Sequence, residues 1–236
     1  MKILGIIPAR GGSKGIPRKN IKPLGGKPLI QFTYESIKES NLLTRTIIST
    51  DDKEIASVCK KLRMDVPFLR PSEFADDGSP TLPVILHALK YLEETNQERY
   101  DAVLLLQPTT PFRQKGLIDL AINQFIKQKT DSLISVTKVP HIFNPHWVFE
   151  VDENNYLKIA TGENIIISQR QKLPKAFIRD GAVYITSVDV LYNKKSLYGD
   201  TISYIENEKS PQINLDTMKD WRLAEEYLKH KERNAY

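Results

Sequence analysis

The chain has 236 residues, 40% of them hydrophobic and 27% charged, with a formal net charge of +5, an ordinary balance for a folded globular protein. No stretch approaches the roughly 20 apolar residues that a bilayer span needs, and the basic residues are scattered rather than gathered on a nucleic-acid-binding stripe. Cys59 is the single cysteine; with no intrachain disulfide partner available, it points to a reducing, cytoplasmic setting.

Residues 2–7 read, after Lys2, as a continuous apolar run, as expected of a strand buried on both faces in a parallel sheet; its stop at Pro8 and Arg10 is unlike a secretory leader. Residues 8–27 are rich in Gly, Pro, Lys and Arg and read as one long functional loop. A helix over residues 28–40 carries Leu29, Ile30, Phe32 and Ile37 at helical spacing. A β-branched strand follows at 45–49. Thr50-Asp51-Asp52 then opens a helix through Ile55, Val58 and Leu62, with Asp51 or Thr50 as its expected N-cap. Residues 64–69 are a short extended run, 81–95 a helix, 102–106 a very apolar strand, 115–128 a helix and 132–137 a strand. Strands alternating with helices of this length predict βαβ units and an α/β, Rossmann-like, mostly parallel sheet flanked by helices. From 141 to 168 the chain turns to alternating, turn-rich segments, predicting a β-rich excursion at about 140–170 outside the main sheet. A strand at 182–186 and an amphipathic helix at 216–229 complete a single domain spanning 1–236.

In open α/β sheets, ligands bind beyond the carboxyl ends of the strands. Three notable segments fall there: the loop after the first strand, Ser49 to Asp52, and Gln107 to Arg113. The first, Arg10-Gly11-Gly12-Ser13-Lys14-Gly15 followed by Arg18-Lys19-Asn20, joins backbone freedom to fixed positive charge. Glycines let the main chain approach a phosphate and aim N–H groups at it. Arg10 suits bidentate grip, and Lys14 and Lys19 act as compact point charges. Neither the P-loop pattern nor Gly-x-Gly-x-x-Gly is present. The same loop is also compatible with a solvated basic turn.

The string Ile7-Pro8-Ala9-Arg10-Gly11-Gly12-Ser13-Lys14-Gly15-Ile16-Pro17-Arg18-Lys19-Asn20 resembles the N-terminal motif of the CMP-sialic acid synthetases, or acylneuraminate cytidylyltransferases. The resemblance continues through Leu24-Gly25-Gly26-Lys27-Pro28-Leu29, Ser49-Thr50-Asp51-Asp52, Phe68-Leu69-Arg70-Pro71 and Leu105-Leu106-Gln107-Pro108-Thr109-Thr110-Pro111-Phe112-Arg113. It resumes at Arg170-Gln171-Lys172-Leu173-Pro174, Gly181-Ala182-Val183-Tyr184-Ile185 and Leu215-Asp216-Thr217, covering nearly the whole chain in the family's order. The resemblance implies a nucleotide-diphospho-sugar transferase-like fold and an enzyme joining CTP to a nine-carbon nonulosonic acid, with Mg2+ as cofactor. It places Ala9, Arg10, Gly12, Ser13, Lys14, Lys19, Asn20, Arg70 and Thr81 on the nucleotide. Gln107, Arg170, Gln171 and Asp180 fall on the sugar, and Asp216 and Asn214 at the metal. Arg10, Lys14, Lys19 and Asp216 would carry the catalysis, through positioning and charge stabilisation of an in-line attack on the α-phosphorus. It also implies a homodimer, with the β-rich excursion reaching a second subunit; the excursion's apolar residues fit equally with a local mini-core.

Three positions depart from the family pattern. Asn214 stands where Asp is usual in Asp-Ile-Asp-Thr, removing one carboxylate from the expected magnesium site. Asp180 replaces the usual Asn before Gly181, setting a negative charge on the sugar side, where it meets either repulsion or an amino group. Pro80-Thr81 replaces a Ser-Ser pair. These departures suggest a sugar other than plain N-acetylneuraminate, such as a legionaminate or pseudaminate. Asp216 reads equally as the N-cap of the last helix. His87 reads as a packing residue, His141 and His146 lack the partners of a zinc site, and Cys59 reads as an inert core thiol. Two other functions stay open: a nucleotidyltransferase acting on another sugar or sugar phosphate, and a non-catalytic nucleotide-binding module.

Overall fold

The computed structural model describes residues 1–75 and 80–233. Ile3–Pro8 forms β1, Pro23–Leu24 and Lys27–Pro28 a small hairpin (β2, β3), and Leu29–Lys38 helix α1. Arg45–Ser49 is β4, Lys53–Lys61 α2, Thr81–Asn96 α3, Ala102–Leu105 β5, Leu117–Gln128 α4 and Ser132–Lys138 β6. Phe149–Val151 and Leu157–Ile159 pair as the hairpin β7–β8; Phe177–Ser187 is β9, Val188–Asn193 α5, Ile202–Glu206 β10 and Met218–Arg233 α6. The main sheet has the order β10-β6-β9-β5-β1-β4. Only β9 runs antiparallel to its neighbours, so the sheet is mostly parallel, as expected.

The continuous apolar character of β1 follows from its place between β4 and β5, with helices on both faces. Ile3 and Ile7 point to the layer made by α1, α2 and α4, and Leu4 and Ile6 to the layer made by α3 and α5. In β5, Ala102 and Leu104 alternate with Val103 and Leu105 in the same way, the period-2 rule of a strand. A third cluster joins Ile16 and Leu24 of the glycine-rich loop to Leu215 and Trp221 beside α6. The loop therefore has its own apolar anchor, tying its base to the C-terminal segment.

Several expectations change. The strand expected at 182–186 is 11 residues long, Phe177–Ser187, and carries an irregularity against β6 between Ile134 and Val136. β10 and α5 escaped the sequence reading, because each is short and β10 alternates at an exposed sheet edge. The run at 64–69 makes only one bridge, Thr50 to Leu69. The cap of α2 is Asp52, whose carboxylate accepts from Glu54 N at 2.8 Å and Ile55 N at 2.9 Å. Asp51 is left to face the glycine-rich loop.

Candidate active site

All three expected segments lie at the carboxyl ends of adjacent strands β4, β1 and β5. Ala9 N donates to Ser49 O at 2.9 Å, which extends the β1–β4 pairing one residue and buries the Ala9 methyl. Gly11 N donates to Asp51 Oδ1 at 3.1 Å, and a Cβ at Gly11 would sit 2.6 Å from Asp52 Oδ2. Arg18, at φ 55°, turns to the outer side of the loop, where its Nη1 pairs with Asp52 Oδ2 at 2.6 Å. Asn20 is buried and donates to Arg10 O at 2.9 Å, fixing the turn that presents Arg10. At Gly15 the loop runs against the C-terminal segment so closely that a Cβ would meet Asp216 O at 2.1 Å. Only glycine fits there.

The segment before α6 closes the far side. Leu215 N donates to Thr109 O at 2.8 Å, and Lys19 Nζ donates to Leu215 O at 2.7 Å while standing 3.5 Å from Asp216 Oδ1. Burial pulls the Lys19 pKa down, and the neighbouring Asp216 carboxylate opposes that shift. Asp216 Oδ2 accepts from Asn214 Nδ2 at 2.8 Å. The alternative role of Asp216, capping α6, is taken instead by a reciprocal pair: Asp220 Oδ2 accepts from Thr217 N at 2.7 Å, and Thr217 Oγ1 from Asp220 N at 3.4 Å. This is the geometry of a capping box, and it leaves the Asp216 carboxylate facing the cleft.

These segments enclose a compartment of about 520 Å³. Arg10, Ser13, Lys14, Lys19, Asn20, Arg70 and Thr81 line it, with Asn214 and Asp216 on its far wall. Ala9 and Gly12 do not: Ala9 is in the core, and Gly12 borders a shallower depression outside the loop. Arg70 is 6% exposed, its Nη2 3.4 Å from Asp51 Oδ1, and its buried Nε has no partner among the described residues. Burial lowers its pKa, Asp51 opposes, and Arg10 adds to the lowering. Such a donor is a group awaiting an acceptor, since an unsatisfied buried N–H costs about 1–3 kcal/mol.

A second compartment of about 660 Å³ adjoins the first, sharing Thr81, Gln107 and Asn214 with it. Asp180 lies in its wall, where the β9 irregularity puts Gly181 at φ +80°; bulges recur beside active sites because they re-aim side chains. Asp180 Oδ1 accepts from Ser135 Oγ at 2.5 Å and Ala182 N at 2.9 Å, and Oδ2 from Asn207 Nδ2 at 2.7 Å. Thr110 Oγ1 and Thr137 Oγ1 are buried without partners among the described residues, and Lys138 and Arg179 add positive charge. Arg170 and Gln171 line neither compartment. They sit on an exposed turn, Arg170–Lys172, at the end of the excursion.

The sequence reading missed Lys138, Thr137, Arg179 and Asn207. No periodic signal marked that wall, because its residues come from β6, the β9 bend and the end of the unrecognised β10. Other candidates fall away. His146 Nδ1 lies 2.6 Å from Glu163 Oε1 in the excursion, and burial pushes the Cys59 thiol up to about 12. Among the described residues no three His, Cys, Asp or Glu cluster as a protein-built metal cage. Asp216 with Asn214 nevertheless offers hard oxygen donors facing the cationic compartment. That donor set fits magnesium, which keeps waters and substrate phosphates as its other ligands.

The architecture is shared by two solved structures. Over 98% of this chain and 100% of that one, it superposes on CMP:2-keto-3-deoxy-manno-octonic acid synthetase complexed with CTP, with a TM-score of 0.73 at 16% identity. 4-Diphosphocytidyl-2C-methyl-D-erythritol synthase from Anaerococcus prevotii gives 0.67 at 16% identity over 97% and 98% of the two chains. Sequence narrows the class. Residues 4–236 match the family described as cytidylyltransferase. The chain is 33% identical to CMP-N,N'-diacetyllegionaminic acid synthase of Legionella pneumophila over 97% of each chain. It is 31% identical to pseudaminic acid cytidylyltransferase of Campylobacter jejuni over 100% of each. The chain belongs to the cytidylyltransferase family, in the group of CMP-nonulosonic acid synthetases.

Proposed function

We propose that this enzyme transfers a cytidylyl group from CTP to a nonulosonic acid bearing acylamino substituents, of the legionaminate or pseudaminate type, with Mg2+ as cofactor. The observation that carries the reading is the pair of compartments meeting at Thr81, Gln107 and Asn214, one ringed by cations and the other holding a carboxylate among hydroxyls. In the first, Arg10, Lys14 and Lys19 neutralise the triphosphate, Ser13 and Asn20 hold the loop against it, and Arg70 and Thr81 meet the nucleoside. The anomeric oxygen of the sugar acid bonds to the α-phosphorus while the bridge to the β-phosphate breaks. Pyrophosphate leaves with the bonding pair, and the hydroxyl proton is released. Gln107, at the junction, orients the attacking end of the sugar. Asp216 and Asn214 would hold the magnesium ion, whose charge offsets that developing on the phosphate oxygens.

In the second compartment, Asp180 accepts from an acylamino N–H, and Lys138 and Arg179 face the sugar carboxylate. Arg170 and Gln171 act across a homodimer: the excursion carries Phe143 (64% exposed), Leu157 (67%) and Ile165 (82%) outward, an apolar face suited to a second copy. Among the described residues no helix is long and apolar enough to cross a membrane, and the lone buried Cys59 suits a cytoplasmic enzyme. The test is a pyrophosphate-release screen of CTP, UTP, ATP and GTP against legionaminate, pseudaminate, N-acetylneuraminate and a sugar 1-phosphate. Release confined to CTP with a nonulosonic acid, abolished by chelating magnesium, is expected. Release with the sugar 1-phosphate alone, or with none, would overturn the reading in favour of another transferase or a binding module.

A further inference from the structure

Arg113 is half-buried, lines neither compartment and touches both through the backbone. Its guanidinium spans three chain segments. Nη2 donates to Gln107 O at 2.6 Å, Nε to Ala182 O at 2.8 Å, and Nη1 to Thr33 Oγ1 at 3.0 Å on α1. One of those acceptors belongs to a junction residue, and a second lies two residues from Asp180. Gln107 stands in both compartments. Ala182 gives its N–H to Asp180 Oδ1 at 2.9 Å and its carbonyl to Arg113, so one peptide segment couples the cation to the carboxylate in the sugar wall. The two sides also touch directly: a Cβ at Gly181 would lie 2.9 Å from Thr110 Oγ1 and 3.6 Å from Gln107 Oε1. The β9 bend has no regular ladder to hold it, since pairing with β6 is interrupted between Ile134 and Val136.

We infer that Arg113 is a positioning residue that locks the loop after β5 to the β9 bend, setting the distance between Gln107 and Asp180. The sugar is thereby held in line with the nucleotide. A guanidinium is suited to this because its donors leave a rigid plane in several directions at once, whereas an ammonium is a point charge on a flexible stem. Burial without a carboxylate in hydrogen-bond contact lowers the Arg113 pKa, in keeping with a group retained for geometry. The inference rests on the proposed cytidylyl transfer for its kinetic consequence, but the mechanical link does not.

Arg113→Lys and Thr33→Val separate the two. Thr33→Val removes only the tie to α1 and leaves the ties to Gln107 and Ala182. The full chain is examined by amide hydrogen exchange without substrate and by steady-state pyrophosphate release. Arg113→Lys is expected to accelerate exchange at residues 107–112 and 180–183. It should also raise the KM for the sugar acid about tenfold and lower kcat about tenfold, since misplacement by about 1 Å costs roughly 10²-fold. Binding of CTP alone stays within about twofold, and Thr33→Val leaves sugar-acid KM unchanged. If Arg113→Lys folds poorly, Arg113→Ala with added methylguanidinium should recover the sugar-acid KM. Unchanged exchange in both segments, equal effects on CTP and sugar, or Thr33→Val matching Arg113→Lys would each overturn the inference. Altered exchange in a chain whose wild type releases no pyrophosphate would sustain the lock and sink the proposed reaction.

Discussion

The two compartments are built in different ways. The proposed nucleotide side is built on a single loop, tied within itself by Asn20 to Arg10 and to its surroundings by Gly11 to Asp51 and Lys19 to Leu215. The sugar side is assembled from segments far apart in the chain, with Ser135, Asp180 and Asn207 meeting only because β6, β9 and β10 lie side by side. The first arrangement presents fixed cations, as the proposed triphosphate site requires. The second lets single side chains change without disturbing the sheet, which is where substrate choice can vary.

If the nucleotide side is a rigid cationic cradle, removing one of its charges should hurt most. Arg10→Ala is expected to lower kcat/KM for CTP by about 10²–10³-fold, the usual cost of one preorganised donor. Secondary structure by circular dichroism should stay intact, because Arg10 is presented by a turn that Asn20 holds through the main chain. A loss below about threefold would place the loop outside the reaction.

The proposed metal edge of the same compartment should respond less. Asn214 Nδ2 donates to Asp216 Oδ2 at 2.8 Å, so the amide orients the one carboxylate without adding charge. Asn214→Asp is expected to shift half-maximal activity to about tenfold lower magnesium, the scale on which neighbours of a metal ligand tune affinity. An unmoved magnesium titration would remove Asn214 from the ion's surroundings.

On the sugar side, the Asp180 carboxylate accepts three hydrogen bonds, from Ser135 Oγ, Ala182 N and Asn207 Nδ2. Asp180→Asn keeps the shape but leaves one oxygen where there were two, so one of these donors loses its acceptor. The expected result is a loss of about 1–3 kcal/mol in stability by chemical denaturation. Discrimination between diacylamino and monoacylamino sugar acids should fall several-fold, with CTP binding unchanged. Unaltered sugar preference would assign Asp180 to architecture alone.

The same contrast explains what the sequence disclosed. The glycine-rich loop was legible because Gly11, Gly15, Arg10 and Lys19 are close in the chain and their chemistry is local. The sheet class followed from the unbroken apolar runs of β1 and β5, and it appears as expected, mostly parallel with helices on both faces. The sugar wall was less legible. Asp180 stood out as a departure from a motif, but its partner Asn207 did not, because a buried asparagine at the end of an edge strand carries no periodic signal. Arg170 was placed by resemblance alone, and within one chain it lies outside the cleft. The expected cap, Asp51 or Thr50, missed Asp52 because all three are capping residue types, and only the loop's use of Asp51 decides among them.

The smallest expected effect tests whether the nucleotide wall is braced from the core behind it. His87 of α3 packs against Phe68 and Phe74 with ring centroids 4.7 and 5.5 Å away, and its buried Nδ1 has no partner among the described residues. Burial first, and then the charge of Arg70, hold its pKa below the ordinary 6.5, with Glu73 opposing. In the unfolded chain that imidazole takes its proton near the ordinary value. As pH falls through about 6.5, the unfolded state therefore binds a proton that the native state resists, and stability drops. Above that pH both states are neutral at this position and nothing is lost. His87→Phe keeps the ring packing and removes the titration, so its denaturation midpoint should decline less than that of the wild type between pH 7 and pH 5.5. Curves that stay parallel over that range would mean that His87 is not held neutral against Arg70, and that the wall owes its rigidity to the loop alone.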